Sequence, residues 1–349
     1  MFLKPKENHW IYLKDGVVSD SYLSENVKMK EDIFISELEL EFYEDDYMKI
    51  YFEYSSNISV SSALNLVLRK GVDIGVLIYF IGGEKSLVSF DFCAKLLKNS
   101  NLNLTQIQNL QHDAEFTTNN SFDLKEMSEC KTFSLLNSGE YLESFSKVEL
   151  EFGSSIDVGS LLLSNETQKE LFHCDILHKK DSAKSNLYVK EVLNGSSSCV
   201  FDALTTIQKD TKNSDVKQAN HALLLSDKAH VNAMPHLQIY SDDLSASHGC
   251  TVGELDEAAI FYLVSRGISI DKAKQILIRA FIDDTLEIVD KSFLFSFLCI
   301  SLYLTSVLLS PYVLFFPLLL LSFLFFFFFL FFFSFLLPPS PPPPPPPPP

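Results

Sequence analysis

The 349-residue sequence has no surplus of positive charge: 28 Lys and Arg stand against 45 Asp and Glu, a formal net charge of −17. No basic stripe runs along any segment, and phosphate contacts need clustered Lys and Arg, which argues against a nucleic-acid binder. The acidity reads as solubility and names no partner. Cysteine pairs are missing too. The six cysteines, at 93, 130, 174, 199, 250 and 299, lie 25 to 51 residues apart, with no CxxC or CxxxC. That spacing excludes a zinc ribbon and a self-contained iron–sulfur ligand run. The opening stretch MFLKPKENHW lacks the apolar core of a secretory signal. Dispersed thiols without such a signal predict a reducing compartment, with most cysteines serving as small buried apolar residues.

Helical stripes are also scarce in the body of the chain. From Met48 to Tyr240 short apolar runs alternate with period two, as in MKIYFEY, VLIYFI, SLVSFDF, KVELEF, NLYVKEVL and CVFDAL. Polar Asn, Ser, Asp and Gly breaks recur roughly every ten residues, which is an all-β pattern, sandwich or solenoid. Stretches such as NSNLNLTQIQNLQHDAEFTTNNSFDL look like ladder rungs with polar corners and favour the solenoid, although no strict repeat period emerges. Asn and Ser at the corners suit turns in the left-handed backbone region. Two segments, 61–71 (SSALNLVLRKG) and 166–173 (ETQKELFH), carry helical spacing instead.

After Cys250 the pattern changes. Asp256 can cap a helix with Glu257 in its first turn, ending at Arg266 with Gly267 in a left-handed terminating position. Ser269 or Asp271 then caps a second helix whose apolar residues Ala273, Ile276, Leu277, Ala280, Phe281 and Ile288 follow helical spacing. The domain reading is a short N-terminal region (1–45), a β core (46–245), a helical region (246–290) and a hydrophobic, then polyproline tail (291–349). From Ser292 to Leu337 there is no charged residue. About 20 apolar residues can span a bilayer, so 292–337 is either a membrane anchor or, as the Phe run passing into a Pro run suggests, translation of a homopolymeric stretch. The anchor would make the protein a membrane-bound binding protein.

Over 220–268, the elements ALLLSDKA, VN..P.L.IY.DD, SHG.TVG.LDE and FYL.SRGI, followed by an A..IL..AF helix, resemble the SufB/SufD family of iron–sulfur cluster assembly proteins. The resemblance implies a mainly β fold: a right-handed parallel β-helix (solenoid) core with a C-terminal helical hairpin. It implies a non-catalytic scaffold subunit of a SufBCD complex, partnered by a SufB-type paralogue and a SufC-type ATPase. A transient Fe–S cluster or iron would be held at a shared interface, with no ATP site in this chain. Location would be the cytoplasm or an organelle stroma. SufB-type chains carry a cysteine two residues before the motif histidine; here that position is Ala246, and the following HGCTVGELDE has the SufD form. The functional histidine of the SufD-like role therefore falls on His248, with the docking of the ATPase assigned to the helices at 256–290.

His248 can bind a borderline metal such as Fe(II) through a neutral imidazole, and Cys250 is a second candidate metal ligand through its thiolate. Cys250 also suits a small buried apolar role. Asp242 and Asp243 read as turn residues. His230 and His236 read as exposed solenoid residues on strands broken by a corner near Asn232; His173, Cys174 and His178 form no ligand spacing. A β-solenoid carbohydrate-active enzyme is the alternative fold-level reading, but it needs carboxylates converging in a groove, and the sequence shows no such cluster.

Overall fold

A computed structural model of the protein describes residues 9–285, apart from 33–35, 112 and 138. The tail at 291–349, Cys299 and Ile288 lie outside the described residues, and so do the two readings of 292–337. Among the described residues the strands are β1 His9–Lys14, β2 Val17–Tyr22, β3 Val27–Asp32, β4 Glu37–Phe42, β5 Asp46–Tyr54, β6 Ser59–Leu68, β7 Asp73–Gly82, β8 Leu87–Leu96, β9 Asn101–Leu110 and β10 Glu115–Leu124. They continue with β11 Glu129–Leu136, β12 Tyr141–Leu150, β13 Ser155–Ser164, β14 Lys169–His178, β15 Lys184–Leu193, β16 Ser198–Ile207, β17 Lys212–Leu224, β18 His230–Ile239 and β19 Asp243–Glu254. Two helices follow, α1 Glu257–Ser265 and α2 Ile270–Ile282.

From β5 onward, odd strands form one sheet and even strands the other, so each coil of chain adds one rung to both. The order β19-β17-β15-β13-β11-β9-β7-β5-β1-β2 faces β18-β16-β14-β12-β10-β8-β6-β4-β3. Neighbours are parallel except β1 with β2 and β3 with β4, at the first end of the stack. The chain is thus the parallel β-solenoid that the alternation and the resemblance lead one to expect. Residues before 46 join the stack, β1 in parallel with β5 and β4 with β6. The coils differ in length, which hides the repeat in the sequence. Side chains bonded from one rung to the next lie 28 residues apart at Asn119–Asp91, 26 at Asn120–Ser146, 30 at Lys179–Glu149 and 31 at Asn213–Ser182.

The corners explain how a chain with only 12 glycines turns so often. Asn57, Asn99, Ser182 and Asp210 hold positive φ values of 58 to 63°, a region open to short polar residues at modest cost, and Lys85, Met127 and Glu166 hold the same conformation at 53 to 56°. Inside the corners runs a column of buried hydroxyls. Ser86, Ser100, Ser128, Ser154, Ser197 and Thr211 each donate to the carbonyl three residues earlier, at 2.6 to 2.9 Å. Gly195 is needed for a different reason: at φ +69° a Cβ there would sit 2.8 Å from the Glu166 backbone.

Inward-facing residues fill the space between the sheets. In the first half, aromatic rings pack among Leu, Ile and Val: Phe80 packs edge-on against Phe90 and Phe116 at 4.7 and 5.1 Å, and Phe52 stacks on Phe80 at 5.4 Å. Each buried ring stabilises the fold by about 2–3 kcal/mol through area alone. The later coils mix polar groups into the same positions, including Asn120, Glu170, Glu191, Gln218 and Asn220.

Neither segment with helical spacing is a helix. Residues 61–68 lie in β6, with every second side chain buried from Ser62 to Leu68. Asn165 and Gln168 close a corner, and β14 starts at Lys169. In both, a strand register shared with two neighbours outweighs local helical spacing. The helices after β19 form as their caps predict. Asp256 Oδ1 accepts from the Ala258 N–H at 2.9 Å, Ser269 caps α2, and Gly267 at φ +88° ends α1. The buried face of α2 is Ala273, Ile278 and Ile282; Ile276 and Ala280 stay exposed, so the stripe is rotated from the expected one. That rotation is set by β15: Lys190, itself buried, lies 4.5 Å from the Phe281 ring and donates to the Phe281 carbonyl and to Asp284, whose carboxylate also accepts from the Tyr188 hydroxyl at 2.8 Å.

Candidate functional site

The far end of the solenoid is formed by two edge strands, β18 in one sheet and β19 in the other. No further rung among the described residues covers them. Side chains alternate along a strand, so register shows which residues of β19 lie over the core. Ala246, His248 and Cys250 pair with Val216, Gln218 and Asn220, all three buried core positions of β17. Val252 continues this face opposite Ala222. His248, Cys250 and Val252 are exposed. Ser245, Ser247 and Thr251 point the other way, and Thr251 Oγ1 lies 2.7 Å from His221 Nδ1. Across the end, Val231, Ala233, Pro235, Leu237 and Ile239 pair with core residues of β16, Cys199 to Ile207. The end is therefore an apolar surface carrying one imidazole and one thiol.

His248 and Cys250, singled out in the sequence, thus share one face of one strand, roughly 7 Å apart along it. Asp242 lies in a bend before β19 and Asp243 is its first residue; both are exposed and neither joins His248 on its face. The corner expected near Asn232 is absent. His230 and His236 lie on a single unbroken strand, both exposed, and Pro235 is accommodated because β18 is an edge strand that need not donate on its free side. His173 is flanked by Asp175 and Asp202, each at 3.1 Å, on the outer face of the same sheet. Cys174 is buried, and His178 is buried against the Ser185 hydroxyl at 2.8 Å, burial pushing it down to about 4.

Behind Cys250 lies a group of residues that the sequence reading passed over. The Cys250 thiol donates to Asn220 Oδ1 at 3.7 Å, and Asn220 Nδ2 donates to Glu191 Oε1 at 2.7 Å. The Cys199 thiol also contacts the Glu191 carboxyl. Glu191 and Glu170 are buried between the sheets; Glu191 Oε2 and both Glu170 oxygens have no hydrogen-bond partner. Burial raises Glu191 to about 7, with Asn220 and Cys199 opposing it. Burial, with the charge of Glu191, raises Glu170 to about 8. The signal was present in the strand parity: Glu170 shares its face with Phe172, Cys174 and Ile176, and Glu191 with Leu187, Val189 and Leu193. Burial likewise raises the Cys250 thiol, helped by the Glu191 charge.

A second surface is supplied by α1. None of its residues is buried; Phe261 and Tyr262 are 75% and 57% exposed, with Ile260, Leu263 and Val264 half-buried. Among the described residues no three His, Cys, Asp or Glu side chains are gathered so as to hold a metal ion. No helix among them is long and apolar enough to cross a membrane.

Residues 53–281 match the family described as "SUF system FeS cluster assembly, SufBD core domain". The chain is similar to iron–sulfur cluster assembly protein SufD of Escherichia coli (strain K12), 36% identical over 110 residues, which are 32% of this chain and 26% of that protein. It is similar to SufD of Bacillus subtilis (strain 168), 28% identical over 148 residues, or 42% of this chain and 34% of the relative. Protein ABCI7, chloroplastic, of Arabidopsis thaliana is 32% identical over 123 residues, 35% of this chain and 26% of its own length. The chain thus spans about a quarter to a third of the length of these relatives. The match to the core domain runs from the end of β5 into the last turn of α2 and includes the open end with His248, and on it the chain belongs to the SufBD family of iron–sulfur cluster assembly proteins.

Proposed function

We propose that this chain is a SufD-like scaffold subunit, not an enzyme in itself, on which iron–sulfur clusters are assembled together with a SufB-type chain and a SufC-type ATPase. The observation that carries this reading is the placement of His248 on the core-facing side of the terminal strand. Solenoids close their ends with capping units, and here the last rung of each sheet offers backbone edge and apolar side chains. A second solenoid laid against β18 and β19 would bury Val252 and Ile239, 49% and 44% exposed, and continue both sheets by edge pairing. His248, with Cys250 beside it, would then face the partner's residues.

Two donors are too few for a cluster, so the remaining ligands would come from the partner. The cluster is cargo: it forms at the shared interface and leaves. Asp202, Glu254 and the unbonded edge strands give the rim a polar border suited to a complex that opens and closes. The exposed apolar α1, tied through α2 and Lys190 to β15, is the surface proposed to dock the ATPase, so that movement of the helices acts on the sheet ending in β19. The cytoplasm or an organelle stroma is the proposed location.

Co-purification tests the reading. The full chain, co-expressed with a SufB-type chain, is expected to elute as a stable complex, and Val252→Arg with Ile239→Asp is expected to abolish it while leaving the circular dichroism unchanged. A complex that withstands both charges would place the interface elsewhere and overturn the proposal.

A further inference from the structure

We infer that the corner joining even strands to odd ones, from β6 to β14, is a docking groove for an extended acidic peptide of a partner protein. The groove lies along the side of the stack, so the inference stands apart from the open end and from His248.

Successive corners are stacked by the backbone. The Gly71, Asn99, Met127 and Gly153 N–H groups donate to the Lys98, Glu126, Phe152 and Asp181 carbonyls at 2.9 to 3.1 Å. Residues one coil apart in the chain therefore stand one above another, about 4.8 Å per rung. Lys70, Lys98, Lys125, Lys180 and Lys209 follow one another along this corner, although they are far apart in sequence. The corner on the other side carries Glu84, Asp113, Glu140, Glu166 and Asp227 at its turns. A chain of net charge −17 thus keeps a basic column along one edge, which only the coiling of the chain brings together.

A groove of about 590 Å³ lies on this column, with Lys70 and Lys98 toward one end, Lys180 at the other, and Leu97 and Phe152 between them. Lys98 is held by Glu126 at 2.5 Å, and Lys125 by Asp123 at 2.7 Å with Glu151 at 3.9 Å. Among the described residues Lys70 and Lys180 form no ion pair, so each end of the groove keeps an unneutralised ammonium group. The middle is apolar: Phe152 is 47% exposed and Met127, on the neighbouring rung, 50%. Met127 stands at φ 56°, a conformation that suits a short polar residue such as Asn99 one rung before. Neither the turn nor the core asks for two large apolar side chains here, and a ligand that covers them removes their area from water.

Charge decides which ligand fits. Glu126 and Glu151 stand in the groove between its cationic ends, and a continuous phosphate backbone would lie against both carboxylates. A peptide can leave them unopposed. Its acidic side chains meet Lys70 and Lys98 at one end and Lys180 at the other, while an apolar side chain between them covers Phe152 and Met127. Lys70 and Lys180 follow β6 and β14, four rungs apart, or about 19 Å. An extended segment rises about 3.3 Å per residue, so acids roughly six residues apart match that span.

The test is fluorescence anisotropy of the full chain with a labelled peptide that carries a glutamate at each end of this span and phenylalanine at its centre. Binding is expected, weakening about fivefold as salt rises from about 50 to about 300 mM. Replacing both glutamates by glutamine should weaken it by about tenfold. Lys70→Glu with Lys180→Glu is expected to cost about tenfold or more, Lys70→Gln with Lys180→Gln about threefold, and Phe152→Ser about fivefold. These side chains are exposed, so circular dichroism melting should be unchanged in every variant. Lys85→Glu with Lys228→Glu, at the opposite corner, alters net charge equally and should bind within about twofold of wild type. Equal losses in the two double reversals would reduce the effect to overall charge and overturn the groove. Displacement of the peptide by a single-stranded oligonucleotide or an anionic phospholipid vesicle at lower concentration than by unlabelled peptide would overturn the peptide assignment. No binding by wild type up to about 1 mM peptide would overturn the inference outright.

Discussion

Replacing Glu170 by Gln should make the protein more stable at alkaline pH and leave it nearly unchanged in acid. Glu170 is buried between the sheets with neither oxygen bonded, and burial lifts it from 4.5 to about 8. Its folded-state value lies above its unfolded one, so the fold retains a proton that the unfolded chain gives up. The associated stability is fully present below about pH 4.5 and is lost as pH climbs to about 8. At 1.36 kcal/mol per pH unit the loss over that window is bounded by about 5 kcal/mol, and water entering the core reduces it to about 2–3 kcal/mol. Gln has nearly the same shape and no such proton. Urea denaturation of wild type and Glu170→Gln at pH 5, 7 and 9 reads this directly. The two curves should lie within about 1 kcal/mol at pH 5, and at pH 9 the variant should gain about 2–3 kcal/mol, with unchanged slopes. A wild-type-to-variant difference that stays constant from pH 5 to pH 9 would refute the assignment of Glu170 as a buried neutral acid.

Three further outcomes are expected. His178 is the opposite case: burial lowers it to about 4 from 6.5, so its contribution is present above pH 6.5 and lost as pH falls toward 4. His178→Gln should therefore flatten the acid side of the stability profile by up to about 3 kcal/mol, measured by urea midpoints at pH 4.5 and 7. Lys190→Met removes a buried cation that bonds Asp284 and the Phe281 carbonyl; hydrogen exchange across residues 270–282 should accelerate by about tenfold or more, with strands β7 to β13 unaffected. Asn99→Val puts a β-branched side chain at φ +59° and should lower stability by about 1–2 kcal/mol, read as a drop in melting temperature, whereas Asn99→Gly should leave it nearly unchanged.

Most of the fold could be read from the chain because alternation with period two survives in nearly every rung. MKIYFEY, SLVSFDF and NLYVKEVL became β5, β8 and β15 with the faces that parity assigns. The repeat itself was illegible, since coil lengths vary between corners while only the rungs are fixed. The two false helices show the limit of local spacing: 61–71 satisfies a helical stripe and an alternating one at once, and only pairing with β4 and β8 decides between them. For the site, His248 was legible through the SHG.TVG.LDE motif and Cys250 through its place beside it. Which way each faces was not legible, because that depends on the register between β17 and β19, which the sequence carries only through long-range contact. Glu170 and Glu191 were legible in principle, as charged residues on the apolar parity of their strands. Glu170 escaped because 166–173 carries helical spacing, and Glu191 because NLYVKEVL was read for its apolar alternation.

The most direct measurement of the central claim is iron–sulfur cluster formation by the complex of this chain with a SufB-type chain and a SufC-type ATPase, comparing wild type with His248→Ala. Cluster is followed by its visible absorption after reconstitution, and complex formation by gel filtration of the same samples. The shared-interface account predicts that His248→Ala still assembles the complex yet forms cluster at least tenfold more slowly. An unchanged rate in an intact complex would contradict it and remove His248 from the mechanism.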